Sequence, residues 1–504
     1  MAGGGKLGKV AAAFVFSLVL VTMHIGVTCN DIWMLQWSKE FSNGHAQFAQ
    51  PIGDVDNDGL NEIAIGGFRD KNITILQWNP TSHTYEIEAI WNEGGGAAGG
   101  VAIGDINNDG ENELVVVWDF CIDGKNRTCI YKWNGEHYEK IETIFLENIR
   151  IYYDCFIGDF NDDGENELLL FGWADEGAEL VVYKWDGEAF VMIASWDDPT
   201  GTGYQTFIPM ACIGDVDVDG KAEILCTPGR KLVVLDFDGK QFIATEIYKT
   251  TAGQWKITYG VDIGDINGNG IPEIALGLGS QVYEIPTALL FEYDVATGQY
   301  KEVWNATWEE EMGVIEAIDI ADGDNDGKNE LYAATNVVHV IGWNGLSYFE
   351  KSIIDETYGV IPSVNVGDCD NDGNNEVKVN VIRDYENRPL KEWIFKCKYN
   401  DETPPLVSIE KPKDHLYING KPVIALPFTV VIGRISVEAI AEDGETGVKK
   451  VDFYLDGKLV QTVEKEPYEW TIEKLYGKHE ITVIAYNEIG NTGNDATTFW
   501  AFIY

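Results

Sequence analysis

The stretch IGDVDNDGLNEIAIG at residues 52–66 returns six more times, and that recurrence constrains the fold more than any other feature of the chain. The copies read IGDINNDGENELVVV, IGDFNDDGENELLLF, IGDVDVDGKAEILCT, IGDINGNGIPEIALG, IADGDNDGKNELYAA and VGDCDNDGNNEVKVN. Their first aspartates are Asp54, Asp105, Asp159, Asp215, Asp265, Asp322 and Asp368, so the steps are 51, 54, 56, 50, 57 and 46 residues. A period of that length belongs to units that bury their apolar faces against neighbouring copies.

Each unit shares one coarse anatomy. An apolar stretch enters the acidic loop, and a second one, such as EIAIGG, leaves it. A third, such as NITILQWN, runs into a turn marked WNG or WDG, where Asn-Gly or Asp-Gly between apolar runs predicts a two-residue hairpin. A fourth strand follows, for example YEKIETIF at 138–145. Four antiparallel strands per roughly 50 residues, repeated radially, is a propeller pattern. After the last loop only two strands fit before NDETPP at 400–405. The unassigned strand at 32–41 is therefore expected to complete the last blade. From Thr403 onward about 100 residues alternate apolar and polar, a separate all-β unit of sandwich size.

In D-x-[DN]-x-[DN]-G-x-x-E, alternate positions place oxygens on one side of a tight loop. Positions 1, 3, 5 and 9 offer side chains, position 7 a main-chain carbonyl, and Gly at position 6 lets the backbone turn. That oxygen set suits Ca²⁺, up to seven ions at one per blade, better than Mg²⁺, which keeps more water. The candidate ligands are Asp54, Asp56, Asp58, Leu60 and Glu62, then Asp105, Asn107, Asp109, Glu111 and Glu113. They continue with Asp159, Asn161, Asp163, Glu165 and Glu167, and with Asp215, Asp217, Asp219, Lys221 and Glu223. The last three sets are Asp265, Asn267, Asn269, Ile271 and Glu273; Asp322, Asp324, Asp326, Lys328 and Glu330; and Asp368, Asp370, Asp372, Asn374 and Glu376. The final carboxylate at position 9 rather than 12, with strands alongside, excludes an EF-hand. Loop 5 has only two carboxylates among positions 1, 3, 5 and 9, so it is expected to be the weakest site. Seven bound Ca²⁺ would take the formal charge from −47 to −33.

These in-phase repeats resemble FG-GAP/VCBS repeats, the blades of integrin α-subunit propellers and of many secreted microbial proteins. The stretches GVKKVDFYLDGKLV, EPYEW and GKHEITVIAYNEIGN resemble Ig-like modules appended to secreted prokaryotic proteins. The resemblance implies an all-β protein, with a seven-bladed propeller over 31–400 and an Ig-like β-sandwich over 403–504. It also implies Ca²⁺ in the loop joining the two inner strands of each blade, and it does not imply an enzyme. Integrins usually end the loop with Asp, whereas all seven loops here end with Glu, which leaves direct or water-mediated contact open.

Lys6 and Lys9 precede an apolar run at 10–27, so residues 1–28 read as a signal peptide or an uncleaved anchor. Sequons at Asn72, Asn126 and Asn305 fit an extracellular, secreted or cell-surface address. The pairs Cys121/Cys129 and Cys212/Cys226 lie symmetrically about predicted turns and are disulfide candidates. The balance of 83 Asp+Glu against 36 Lys+Arg argues against nucleic acid and anionic lipid as partners.

No HExxH, GxSxG, P-loop or dinucleotide fingerprint occurs, and the seven histidines lack ligand spacing. The leading expectation is a non-catalytic adhesion or recognition protein that binds protein or glycan through the face opposite the calcium loops. Tyr153, Tyr204, Trp255, Tyr259, Trp308 and Tyr358 precede the inner strands and are candidate ligand-face residues, with packing between blades as the competing reading. The alternatives are a Ca²⁺-dependent polysaccharide-degrading enzyme and a structural subunit of a surface layer or appendage.

Overall fold

The computed structural model describes residues 32–41, 50–67, 70–145, 149–174, 179–198, 208, 210–250, 257–279, 285–309, 311, 315, 317–355, 360–382, 390–398, 404–443, 448–487 and 491–504. The expected signal or anchor segment, Tyr204, Trp255 and Tyr358 lie outside them. Among the described residues no helix is long and apolar enough to cross a membrane.

Seven four-stranded antiparallel sheets follow one another along the chain, each built around one acidic loop. We number sheets and loops by chain order of the loops. Sheet 2 shows the pattern, with strands Ala97–Gly104, Glu113–Asp119, Arg127–Trp133 and Tyr138–Phe145 in order. The second strand of each sheet is buried on both faces, as in Glu62–Gly66 and Glu113–Asp119. Outer strands alternate instead, as Gln299–Thr307 does. This is why the inner strands read as unbroken apolar runs and the outer ones as alternating.

The apolar core lies between sheets. One cluster of buried residues fills each joint, from Val55–Ala64–Val116–Trp118 between sheets 1 and 2 round to Ile63–Tyr85–Cys369–Ile394 between sheets 1 and 7. In sheet 7 the strands Val360–Gly367, Glu376–Ile382 and Leu390–Cys397 are followed by Trp33–Phe41, which pairs antiparallel with Leu390–Cys397. Trp37 on that strand donates its Nε1–H to Thr84 Oγ1 of sheet 1 at 3.0 Å, and its ring packs 5.0 Å from Tyr85. The last sheet is thereby held against the first.

The hairpins differ from the two-residue turns expected. Trp133 pairs with Tyr138, so the turn is Asn134–His137. Asn134 Oδ1 accepts the N–H groups of Glu136 and His137, both at 3.0 Å, while Gly135 takes φ 91. The same capping recurs at Asp186, Asp238 and Asn344. A side-chain carboxylate or amide that caps its own turn favours the longer loop.

No disulfide joins the described cysteines. Cys212 faces Leu225, and Cys226 faces Ala211, so the two are one register step apart. That step sends their side chains to opposite faces: Cys212 packs in the joint to sheet 5 and Cys226 in the joint to sheet 3. Cys121 and Cys129 share one buried cluster as thiols, with Cys129 held across the strand from Val116.

The C-terminal unit is a sandwich of a three-stranded and a seven-stranded sheet, with a core of Val437, Val451, Phe453, Ile481, Val483 and Phe499.

Candidate metal centre

Each acidic loop folds on its own carboxylates. In loop 1, Asp54 Oδ1 and Asp56 Oδ1 accept the Asp58 N–H, both at 3.0 Å, and Asp54 Oδ2 accepts that of Gly59 at 3.0 Å. Asp58 Oδ1 accepts the Leu60 N–H at 2.8 Å, so the position-7 residue is held by its amide. The equivalent bonds form at Glu111, Glu165, Lys221, Ile271, Lys328 and Asn374. The backbone must be left-handed at two places. Gly occupies position 6 with φ between 84 and 91, and position 4 lies at φ 56 to 72. Position 4 is Asn57, Asn108, Asp162, Asn325 and Asn371 in five loops, Gly268 in one, and Val218 in loop 4. A β-branched residue is a poor occupant of that conformation.

The terminal glutamate is the loop's foundation. Its Oε2 accepts the position-2 N–H in six loops: from Val55, Ile106, Phe160, Val216, Ile266 and Cys369 at 2.8–3.2 Å. All seven glutamates are almost fully buried. Burial, reinforced by the neighbouring aspartates, pushes Glu62, Glu223 and Glu376 up to about 8. The same burial pushes Glu273 and Glu330 up to about 7. A carboxylate so far from water is stabilised by a cation at its free oxygen.

The donor sets fit a hard divalent ion. In loops 1, 4, 6 and 7, oxygens of three carboxylates lie within 4.8 Å of one another: Asp54/Asp56/Asp58, Asp215/Asp217/Glu223, Asp322/Asp324/Glu330 and Asp368/Asp370/Glu376. Oxygens on one sphere at about 2.4 Å from an ion can be no further apart than about 4.8 Å. Glu376 Oε1 is also buried with no hydrogen-bond donor. In loops 2, 3 and 5 position 3 is Asn107, Asn161 or Asn267, whose amide donates to the glutamate Oε1. That turns the asparagine Oδ1 toward the loop.

Sequence reasoning missed a clasp between neighbouring loops. Asn371 Oδ1 accepts the Asn61 N–H at 2.6 Å, Asn371 Nδ2 donates to the Asn61 carbonyl at 3.1 Å, and Asn61 Nδ2 donates to the Asp368 carbonyl at 2.9 Å. The same triad joins loops 1 and 2 through Asn57 and Asn112, loops 2 and 3 through Asn108 and Asn166, and loops 6 and 7 through Asn325 and Asn375. Loops 5 and 6 keep one bond, from Asn329 Nδ2 to the Asp265 carbonyl at 3.2 Å. At the joint from loop 3 to 4 the corresponding residues are Asp162 and Ala222, and from loop 4 to 5 they are Val218 and Pro272, which has no N–H to give. The readable signal was Asn recurring at positions 4 and 8.

A second omission is a cavity of about 290 Å³ lined by first strands of the sheets, with Asp154, Asp262 and Asp319 among its walls. Asp262 Oδ2 accepts the Ile320 N–H and Asp319 Oδ2 the Val366 N–H, both at 2.7 Å. Burial raises both carboxyls, and the Asp262 charge raises Asp319 further.

Of the candidate ligand-face aromatics, Tyr259 is buried. Trp308 is half-buried, with its ring stacked 4.1 Å from that of His339. Tyr153 belongs to the strand Ile149–Gly158.

Strand-flanked acidic loops repeated from sheet to sheet, with a β-sandwich behind them, define an FG-GAP-type propeller with an Ig-like module. The FG-GAP-like repeat model matches residues 54–116 and 215–276, and the bacterial Ig domain model matches 405–483. No curated protein matches the chain. Among solved structures, Clostridium thermocellum CbhA fibronectin(III)-like modules are 24% identical over 19% of this chain and 96% of that one, with a TM-score of 0.16. Saccharomyces cerevisiae Sqt1 is 10% identical over 93% of this chain and 99% of that one, with a TM-score of 0.44. The two modules together describe a β-rich protein of the surface or adhesion type.

Proposed function

We propose that this is an extracellular calcium-binding propeller protein with a non-catalytic recognition role, holding a protein or glycan on the face opposite the acidic loops. The observation that carries the metal reading is the gathering of oxygens from three carboxylates within 4.8 Å of one another in each of loops 1, 4, 6 and 7. The recognition reading rests on the kind of module present and on the aromatic, glycine-containing stretches of sequence at 91–100, 197–207, 249–260 and 305–313. Melting in EGTA and in millimolar Ca²⁺ tests the first part. Binding to the folded state alone adds about 2.7 kcal/mol per site at a hundredfold excess over Kd, and an unchanged transition overturns the reading. A glycan array and a pull-down with and without Ca²⁺ test the second, with Trp255→Ala and Trp308→Ala expected to abolish capture.

One second reading is a polysaccharide-degrading enzyme that uses the carboxyl groups lining the central cavity, Asp154, Asp262 and Asp319. Release of reducing ends from an acidic or neutral polysaccharide, lost in Asp262→Asn and Asp319→Asn, would replace the recognition role with that one.

A further inference from the structure

Four of the seven loops carry a cation of their own. Lys132 Nζ lies 2.5 Å from Asp109 Oδ2, 3.1 Å from Glu111 Oε2 and 3.2 Å from Glu113 Oε1. Lys184 does the same in loop 3, pairing with Asp163, and with Glu165 and Glu167 at 3.1 Å. In loop 6, Lys351 reaches Asp324 at 2.5 Å, Asp326 at 2.9 Å and Glu330 at 2.8 Å, coming from the fourth strand across Gly342. In loop 7, Lys396 pairs with Asp372 and sits 3.5 Å from Asp370 and 3.8 Å from Glu376. The oxygens it meets at Asp109, Asp163, Asp326 and Asp372 are the Oδ2 atoms that the loop backbone leaves unused.

Loops 1, 4 and 5 are built otherwise. The residue across the strand from the terminal glutamate is Lys184 in sheet 3 and Lys396 in sheet 7, but Gln77 in sheet 1 and Glu292 in sheet 5. In sheet 4 the register places Asp236 there. Among the described residues no ion pair reaches the carboxylates of these three loops. Gln77 donates to Glu62 Oε1 at 3.2 Å. Glu292 accepts from Asn267 and Asn269 at 2.9 and 2.8 Å, which adds a carboxylate to the loop poorest in them. Asp236 adds a fifth to loop 4, where proximity to Asp219 and burial raise it.

We infer that the loops fall into two classes, a partition that rests on the metal reading proposed above. Loops 1, 4 and 5 require a divalent ion, whereas loops 2, 3, 6 and 7 already hold a lysine that offsets part of their charge, and bind one only when that ammonium swings out. An ammonium and a divalent ion on the same three oxygens repel at contact distance, where charges near a protein surface interact strongly. Lysine, a compact charge on a flexible stem, can leave without disturbing the strand that carries it. Calcium uptake is therefore expected in two phases, three ions and then four, and loop 5 joins the strong class despite having only two carboxylates, Asp265 and Glu273, at positions 1, 3, 5 and 9.

Calorimetric titration of the EGTA-stripped full chain with Ca²⁺ tests this, with Tb³⁺ luminescence as a second readout. Wild type should show three tight sites and a later phase at least tenfold weaker. The double variant Lys132→Gln/Lys184→Gln should raise the tight count to five. Where that variant does not fold, single changes decide: Asp217→Asn should lower the tight count to two, and Asp109→Asn should leave it at three. Seven equivalent sites in wild type, or a tight count that Asp109→Asn lowers and Asp217→Asn does not, would overturn the partition while leaving the metal reading intact. No binding of either ion by wild type would overturn the metal reading and the partition with it.

Discussion

Two runs of consecutive sheets are fastened differently. From sheet 6 through 7 and 1 to 3, every joint has an apolar cluster beneath and a three-bond asparagine clasp above. From sheet 3 through 4 and 5 to 6, the apolar clusters remain but the clasp is missing at two joints and reduced to one bond at the third. Sheets 4 and 5 also lack the lysine that offsets part of the charge in four of the other loops. The difference teaches that one repeat serves two purposes through different positions. Positions 1, 3, 5 and 9 shape the loop, whereas positions 4 and 8 decide how firmly each sheet holds the next.

The most severe way to break the comparison is at the joint that closes the clasped arc. Deleting residues 33–41 bares the edge of Leu390–Cys397 and removes Trp37 from its place against Tyr85. An exposed edge recruits other chains, so light scattering should report oligomers, and a monomer with unaltered melting would contradict the closure. Next in size, Asn371→Gly keeps the left-handed backbone but removes two bonds of the clasp. At about 0.5–1.5 kcal/mol per hydrogen bond, it should cost about 1–2 kcal/mol in urea unfolding. Asp162→Gly, at the unclasped joint, should fall within about 0.5 kcal/mol of wild type. Equal losses at the two sites would erase the distinction between arcs. Val218→Gly runs the other way. It relieves a β-branched residue at φ 63 and should stabilise by about 1 kcal/mol.

The smallest effect concerns pH and sharpens the picture within sheet 6. His339 is buried between Glu350 Oε1 at 2.6 Å and Glu311 Oε2 at 3.2 Å, with Thr335 and the Trp308 ring against it. Burial opposes its charge, but those two carboxylates prevail and raise its pKa above the ordinary value. A raised folded pKa gives stability that is present in full below about pH 6.5 and fades as pH rises through the folded value. Melting at stepped pH should show that decline in wild type and its loss in His339→Gln, and parallel curves would refute the ion pair.

The all-β class and both modules were legible because the repeat is exact in phase and its glycine and carboxylates sit at fixed offsets from apolar runs. The cysteine pairings failed because symmetry about a turn gives spacing and not face. A one-residue register difference between Cys212 and Cys226 was enough to separate them. The WNG turns came out longer because Asn134 and its counterparts cap the turn with their own side chains, a local bond that competes with the two-residue geometry. The clasp stayed hidden for a different reason. Asn371 and Asn61 are 310 residues apart, and only the ring brings them together.

The strand Trp33–Phe41 is among the first parts of the propeller to leave the ribosome, and its partner Leu390–Cys397 is the last. Chains grow at about 5–20 residues per second, so that strand waits tens of seconds for a place to dock. Throughout that interval Trp33, Trp37 and Phe41 lack the Leu390–Cys397 strand; at first Trp37 and Phe41 also lack the sheet-1 residues they later cover, and Trp33 lacks Tyr332 and Ser352 of sheet 6. Its alternating Ser38, Lys39 and Glu40 keep charge and polarity beside those rings. The seam between the first strand and the last sheet is thus set by the order of synthesis, since it forms only after Leu390–Cys397 has been made.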